Sequence, residues 1–254
     1  MRPPKAGLIC AGGVRRSLVA RMPALLATVC AVKAGSLRVA RRIANALRIG
    51  SPVENYCGLA GCDVIWVAVA DDALDRVARE LAAETRLAGI PTVLCDSVRD
   101  SSALRRRAAA SVNAPDDDGR MLVAEGDALA LRYLRRLAAA DGRKLVEIHP
   151  GSKALFLAGV RLATDLALPW IAAAVESLRA AGFSRIDATR AVEELGSRTA
   201  RSYAKAGWKA WRPGAAAELM RALNARLGDP RLQEMHRDGI ERALRFFEKQ
   251  ARSS

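Results

Sequence analysis

Along the first 150 residues, short apolar runs alternate with stretches whose apolar positions recur every three to four residues. A strand alternates side chains with a period of two, or is apolar throughout when both of its faces are covered. A helix shows a period near 3.6. On that basis "GLIC" (7–10) predicts a first strand, with a helix from about Gly13 to Met22 behind it. "LLATVCAV" (25–32) predicts a second strand, and "SLRVARRIANAL" (36–47) a helix with Ser36 as its N-cap. "DVIWVAVA" (63–70) reads as a central strand, and Asp71 or Asp72 then caps the helix "ALDRVARELAAET". "IPTVLCD" (90–96), "RMLVAEG" (120–126) and "KLVEI" (144–148) predict further strands, the last two separated by the helix "DALALRYLRRLAAAD". "SVNAPDDDG" (111–119) reads as a polar surface loop. Repeated strand–helix units of this kind predict a parallel sheet.

After His149-Pro150-Gly151 only helical periodicity remains, over about 152–182, 187–206, 214–227 and 230–250. The expected fold class is therefore an α/β Rossmann-like parallel-sheet domain followed by an all-α helical domain. The expected domains are 1–150, binding a dinucleotide, and 151–254, for substrate or dimerisation.

Composition adds limits. The chain carries 41 Lys and Arg against 27 Asp and Glu, a net charge of +14. Residues 1–150 hold 23 basic and 16 acidic side chains, leaving 18 and 11 for the rest, so each part carries +7. The excess is spread evenly and no basic stripe is interleaved with aromatic residues. A nucleic-acid partner is not expected. The five cysteines (Cys10, Cys30, Cys57, Cys62 and Cys95) have no His nearby and no second closely spaced pair, which argues against zinc and for reduced thiols. No metal is expected. No apolar run approaches the roughly 18 residues of a spanning helix, and the basic start lacks a cleavage site. A cytoplasmic protein without a membrane anchor is the expectation.

The candidate chemistry lies at the strand ends. In a dinucleotide-binding β-α-β unit, the glycines of G-x-G-x-x-G permit the tight turn, the approach of backbone to pyrophosphate, and close helix–strand packing. "KAGLICAGGVRRS" (5–17) places Cys10, Gly12 and Arg15 at those three positions and adds Gly13. Cys10, Gly12, Gly13 and Val14 are the candidate phosphate-side residues, at the positive end of a helix. The second strand runs into "AVKAGS", with Lys33 and Ser36 and no acid to hold a ribose 2′-hydroxyl. A basic residue there suits the 2′-phosphate, so NADP is the expected cofactor. Val69, Ala70 and Asp71, at the end of the central strand, are expected beside the nicotinamide ribose.

The succession "GLICAGGV", "CDVIWVAVADDALDRVA", "VLCDSV", "LVAEGDALAL" and "KALFLAGVRLATD" resembles a bacterial family that joins a Rossmann-like domain to an uncharacterised helical domain. That family is distant kin of pyrroline-5-carboxylate reductase and the β-hydroxyacid dehydrogenases. The resemblance spans residues 6 to 250 and implies an NADP-dependent oxidoreductase. Such a protein transfers hydride to a small carbonyl or imine at the interdomain cleft. The long hydrophobic helix after the Rossmann-like half favours a homodimer in which the helical domains pack together. The family pattern opens its long helix with Lys, then Tyr-His, then Ser-Asn. This chain keeps Lys153 but has Phe156-Leu157 and Thr164-Asp165 at the later places. The resemblance implies Lys153 as proton donor, with Asp165 offset along the same helix. A His-Pro segment expected after the fifth strand is replaced by the neighbourhood of Asn113. His149, at a strand-to-helix junction, is a further catalytic candidate, whereas His236 reads as surface. Trp208 and Trp211 in "YAKAGWKAWRPG" (203–214) suit a ligand pocket, a subunit interface or core packing. The departures from the family pattern keep an alternative open, a non-catalytic nucleotide-binding or interaction protein on the same fold.

Overall fold

The computed structural model describes residues 4–11, 13, 17–115, 118–210, 223 and 228–252. The chain divides into two compact units, Met1–Val160 and Arg161–Ser254.

The first unit is built on an eight-stranded sheet. Its strands are β1 (Ala6–Cys10), β2 (Val29–Lys33), β3 (Ser51–Val53), β4 (Val64–Ala68), β5 (Thr92–Cys95), β6 (Ala109–Asn113), β7 (Met121–Gly126) and β8 (Lys144–Glu147). They lie in the order β3-β2-β1-β4-β5-β6-β7-β8. The chain winds outward from β1 to β3, then crosses back to β4 and winds the other way. β1 and β4 therefore flank the switch point, where ligands settle beyond the carboxyl ends of the strands in open α/β sheets. All neighbours pair parallel except β6 and β7, which are antiparallel with Ala110 opposite Gly126 and Asn113 opposite Val123. The expected parallel sheet is thus present, with one antiparallel pair made by β6, a strand the sequence pattern did not predict. Only residues 114–120 connect the two strands, whereas a parallel crossover needs a dozen residues or more.

Alternation along the strands feeds two cores. Leu8, Cys10, Trp66, Val93 and Cys95 face the helices α2 (Leu37–Leu47) and α4 (Ala128–Ala140), which contribute Ile43, Ala44, Leu131 and Leu134. Ile9, Ile65, Val67 and Leu94 face α3 (Asp71–Ala83) through Leu74, Val77 and Leu81. Helices on both faces explain why β1 and β4 are buried along their whole length.

Several expected boundaries move. The segment read as one strand over 25–32 begins instead as a short helix, α1 (Pro23–Leu26), and only Val29–Lys33 joins the sheet. The helix expected over 13–22 is, in its described part, a 3₁₀ turn at Leu18–Arg21. Pro23, which has no N–H to donate, opens α1 instead of extending that turn. Ser36 caps α2 as expected, its Oγ accepting from Val39 N at 3.3 Å. Asp71 and Asp72 do not cap α3. Ala70 is the N-cap, and the two acids lie in the first turn, where their charge favours the positive helix end. The polar loop expected over 111–119 starts only after Asn113, because Ser111, Val112 and Asn113 belong to β6.

Helix α5 (Lys153–Ala163) begins in the first unit. The second unit holds α6 (Leu168–Ala180), α7 (Arg185–Ala206), a 3₁₀ turn at Gly207–Ala210, and α8 (Pro230–Arg252). The single helix expected over 152–182 is two, broken at Thr164–Ala167. Pro169 sits in the first turn of α6, where its missing N–H costs nothing. By length and composition, the stretch Lys153–Ala180 is apolar enough to cross a membrane, which corrects the expectation that no such stretch exists. The break leaves helices of 11 and 13 residues, each shorter than the roughly 20 that a span needs. The helix expected over 214–227 lies outside the described residues. Gly239 of α8 packs under Trp170 of α6, where a Cβ would come within 2.7 Å of the indole.

Candidate functional site

Two groups of polar side chains gather at the carboxyl edge of the sheet and behind it. The first surrounds the ends of β1 and β2. Cys10 is buried, and burial pushes its thiol up to about 12, so it is packing and not a reactive group. Gly13 is exposed, and a side chain built there would meet none of the described residues within 4 Å. Gly12 and Val14, with Arg15 and Arg16, lie outside the described residues. Lys33 ends β2 half-buried; its ammonium donates to the Ala34 carbonyl and lies 5.1 Å from the centroid of the Tyr56 ring. Gly35 also faces open space, and Ser36 is exposed at the start of α2. No Asp or Glu occurs between Val29 and Val53, while Arg38, Arg41 and Arg42 follow Ser36. The described part of this edge carries the Lys33 ammonium, with the Glu80 carboxylate nearby as the acceptor of the Tyr56 hydroxyl at 2.7 Å.

The second group joins the ends of β4 and β5. Val69 packs on the α3-side core and Ala70 is exposed. Asp71, half-buried, accepts from Ser97 Oγ and from Val98 N (3.3 Å). Ser97 is buried and accepts in turn from Arg99 N at 2.9 Å. Asn113 donates from Nδ2 to the Ser97 carbonyl at 3.2 Å, while its Oδ1 is buried without a partner among the described residues. Asp96 follows β5 in a left-handed conformation (φ 53°) and accepts from Leu18 N. Burial raises its pKa although that hydrogen bond favours the charged form. These contacts tie three strand ends and the segment after β1 into one polar platform.

Lys153 stands at the start of α5 and is 3% exposed. Its ammonium donates to the Arg99 carbonyl at 2.7 Å and to Ser111 Oγ, leaving one N–H. Burial pulls its pKa down to about 8, against the pull of the carboxylates of Glu125, Asp71 and Asp100. Glu125 is buried across the strand pair from Ser111 and accepts from Ser101 N at 2.7 Å and Ser101 Oγ at 3.0 Å. A buried lysine near pH 8 can hold or release a proton in the physiological range.

The other catalytic candidates do not join it. His149 is exposed, and its contribution is a carbonyl that accepts from Ser152 N at 3.0 Å. Asp165 is exposed and pairs with Arg161, one helical turn away. Among the described residues no cluster could hold a metal. His236 is half-buried, with Nδ1 out of solvent, which corrects its reading as surface. The Trp208 side chain and Trp211 lie outside the described residues. Sequence reasoning passed over Ser97, Ser111 and Glu125. The signal for Glu125 was present, as a lone charge inside the apolar run "MLVAEG".

No family model matches the chain, and no curated protein matches it. Solved structures do. An imine reductase variant from Myxococcus stipitatus in complex with NAD+ superposes with a TM-score of 0.70 at 16% identity, over 96% of this chain and 94% of that one. The imine reductase from the same organism in complex with NADP+ gives 0.66 at 14% identity, over 99% and 95%. A pyrroline carboxylate reductase from Plasmodium falciparum with NADP bound gives 0.55 at 12% identity, over 98% and 93%. The fold, a Rossmann-like sheet followed by a helical C-terminal part, is therefore the one found in pyrroline-5-carboxylate reductases and imine reductases.

Proposed function

We propose that the protein is an NADP-dependent oxidoreductase that reduces a small carbonyl or imine. The observation that carries this reading is the carboxyl edge of the sheet, open at Gly13 and Gly35 and cationic at Lys33, on a fold whose solved examples hold NADP+ and NAD+. Lys33 would take the 2′-phosphate, helped by the exposed Ser36 hydroxyl and by Arg38. Gly12, Gly13 and Val14 would line the pyrophosphate, and Val69, Ala70 and Asp71 would flank the ribose beside the reacting ring. When bound, the reduced nicotinamide supplies the hydride. Lys153 would give the proton to the substrate oxygen or nitrogen through its third N–H, while the Arg99 carbonyl and Ser111 Oγ fix the other two.

The apolar residues left exposed on the second unit, such as Leu168, Ile171, Phe183 and Ile186, support a homodimer formed through the helices. Sedimentation of a species of twice the 27.2 kDa chain mass tests it. Five free thiols support a reducing compartment such as the cytoplasm.

Oxidation of NADPH with a panel of keto acids and cyclic imines, followed from pH 6 to 10, tests the catalytic claim. Turnover that declines above about pH 8, as Lys153 loses its proton, supports it. A second reading is favoured by the outward His149 and Asp165, which leave Lys153 without a catalytic companion: a nucleotide-binding protein with no chemistry. Saturable NADPH binding without turnover on any substrate selects that reading.

A further inference from the structure

Cys30 and Cys62 lie 32 residues apart in sequence, yet their sulfurs are 3.6 Å apart. Cys30 stands in β2, and Cys62 lies just before β4, so the two flank β1, which pairs with both strands. Gly7 of β1 makes room for the approach. A Cβ at Gly7 would come within 3.1 Å of Cys62 Sγ and of Leu59 Cδ2. A disulfide needs its sulfurs about 2.05 Å apart, so the pair must close by about 1.5 Å. The segment carrying Cys62 also meets β2 at its other end, where the Lys33 ammonium stands over Tyr56.

We propose that Cys30 and Cys62 are a reversible dithiol–disulfide pair, a redox modification site that staples β2 to the segment between β3 and β4. The oxidant is a small-molecule disulfide. Cys30 gives up its proton, and its thiolate attacks one sulfur of the reagent, forming a mixed disulfide and expelling one thiolate. Cys62 Sγ then attacks the Cys30 sulfur, and the second reagent thiolate leaves with the Cys62 proton. The protein loses two hydrogens and the reagent is reduced to two thiols.

Accessibility sets the order of events and singles out the pair. Cys30 is exposed, whereas Cys62 is buried and its thiol is pushed up to about 12. Cys30 is therefore the sulfur that initiates. Cys10 and Cys95 are buried with thiols raised by burial, and Cys57 is half-buried. The site does not depend on the proposed catalysis.

The test incubates the full chain, natively folded, with glutathione disulfide, then counts thiols after denaturation and maps the cross-linked peptides. The expected result is a fall from five free thiols to three, a peptide joining residues 30 and 62, and recovery of five with dithiothreitol. Cys57→Ser should show the same loss of two, and Cys30→Ser, at an exposed position, should show none. An unchanged count, a link between another pair, or arrest at a Cys30 mixed disulfide would overturn the proposal.

Discussion

The two units use apolar residues in opposite ways. In the first, two cores enclose Trp66, Ile65, Leu8, Leu94 and their neighbours almost completely. Among the described residues of the second, Ala188 is the one buried side chain, while Leu162, Leu166, Leu168, Trp170 and Ile171 remain exposed. Both stretches look alike as apolar sequence. The difference is that the sheet gives α2, α3 and α4 a face to cover, whereas the described helices of the second unit leave much of their apolar surface uncovered. Exposed apolar area of this kind is the surface through which the proposed homodimer would form.

The largest expected effect tests the first half of that contrast. Trp66→Ala empties a fully buried site and should cost about 3–5 kcal/mol in urea unfolding of the first unit. A loss below about 1 kcal/mol would mean the two cores are looser than described.

Lys153 supplies the next effect. Its folded pKa, about 8, lies below the ordinary 10.5, so between those values the unfolded chain keeps a proton that the folded chain has shed. Stability then rises with pH across that window, by on the order of 3 kcal/mol for this side chain. The buried thiols Cys10, Cys62 and Cys95 act in the opposite sense, because burial keeps them protonated while the unfolded chain ionises. The difference between the wild type and Lys153→Met isolates the lysine. It should move toward the wild type as pH climbs from 8 to 10.5, and a pH-independent difference would show a lysine that titrates normally.

A smaller effect is expected at the open edge. Lys33→Ala should weaken NADPH binding roughly tenfold, about 1.4 kcal/mol, and leave NADH binding unchanged. Equal weakening of both would assign Lys33 to packing on Tyr56 and not to the 2′-phosphate. Trp170→Ala should be smallest within one chain, roughly 1 kcal/mol, because the ring is 45% exposed. Its larger effect should appear as weaker self-association in sedimentation. No change there would count against the proposed homodimer through α6.

The fold was legible where one signal dominated. The uniform apolar run at Val64–Ala68 and the capped, periodic Leu37–Leu47 fell where the pattern placed them. The misses have physical causes. β3 is three residues long and contains Pro52, and β6 is "AASVN", weakly apolar and opening on three small residues. The apolar period from Ser152 to Gly182 hid the break at Thr164–Ala167, although Pro169 marked a new helix start. The site was harder. Lys153 was visible as a residue, but its partners Ser111 and the Arg99 carbonyl come from strand pairing and a loop, which no local pattern encodes. His149 and Asp165 were close in sequence to Lys153, yet one faces solvent and the other takes Arg161.

The measurement that bears most directly on the central claim is a fluorescence titration of the purified chain with NADPH and, in parallel, NADH. The account predicts saturable NADPH binding, tighter than NADH, that Lys33→Ala weakens selectively. Absence of binding up to millimolar NADPH would contradict it.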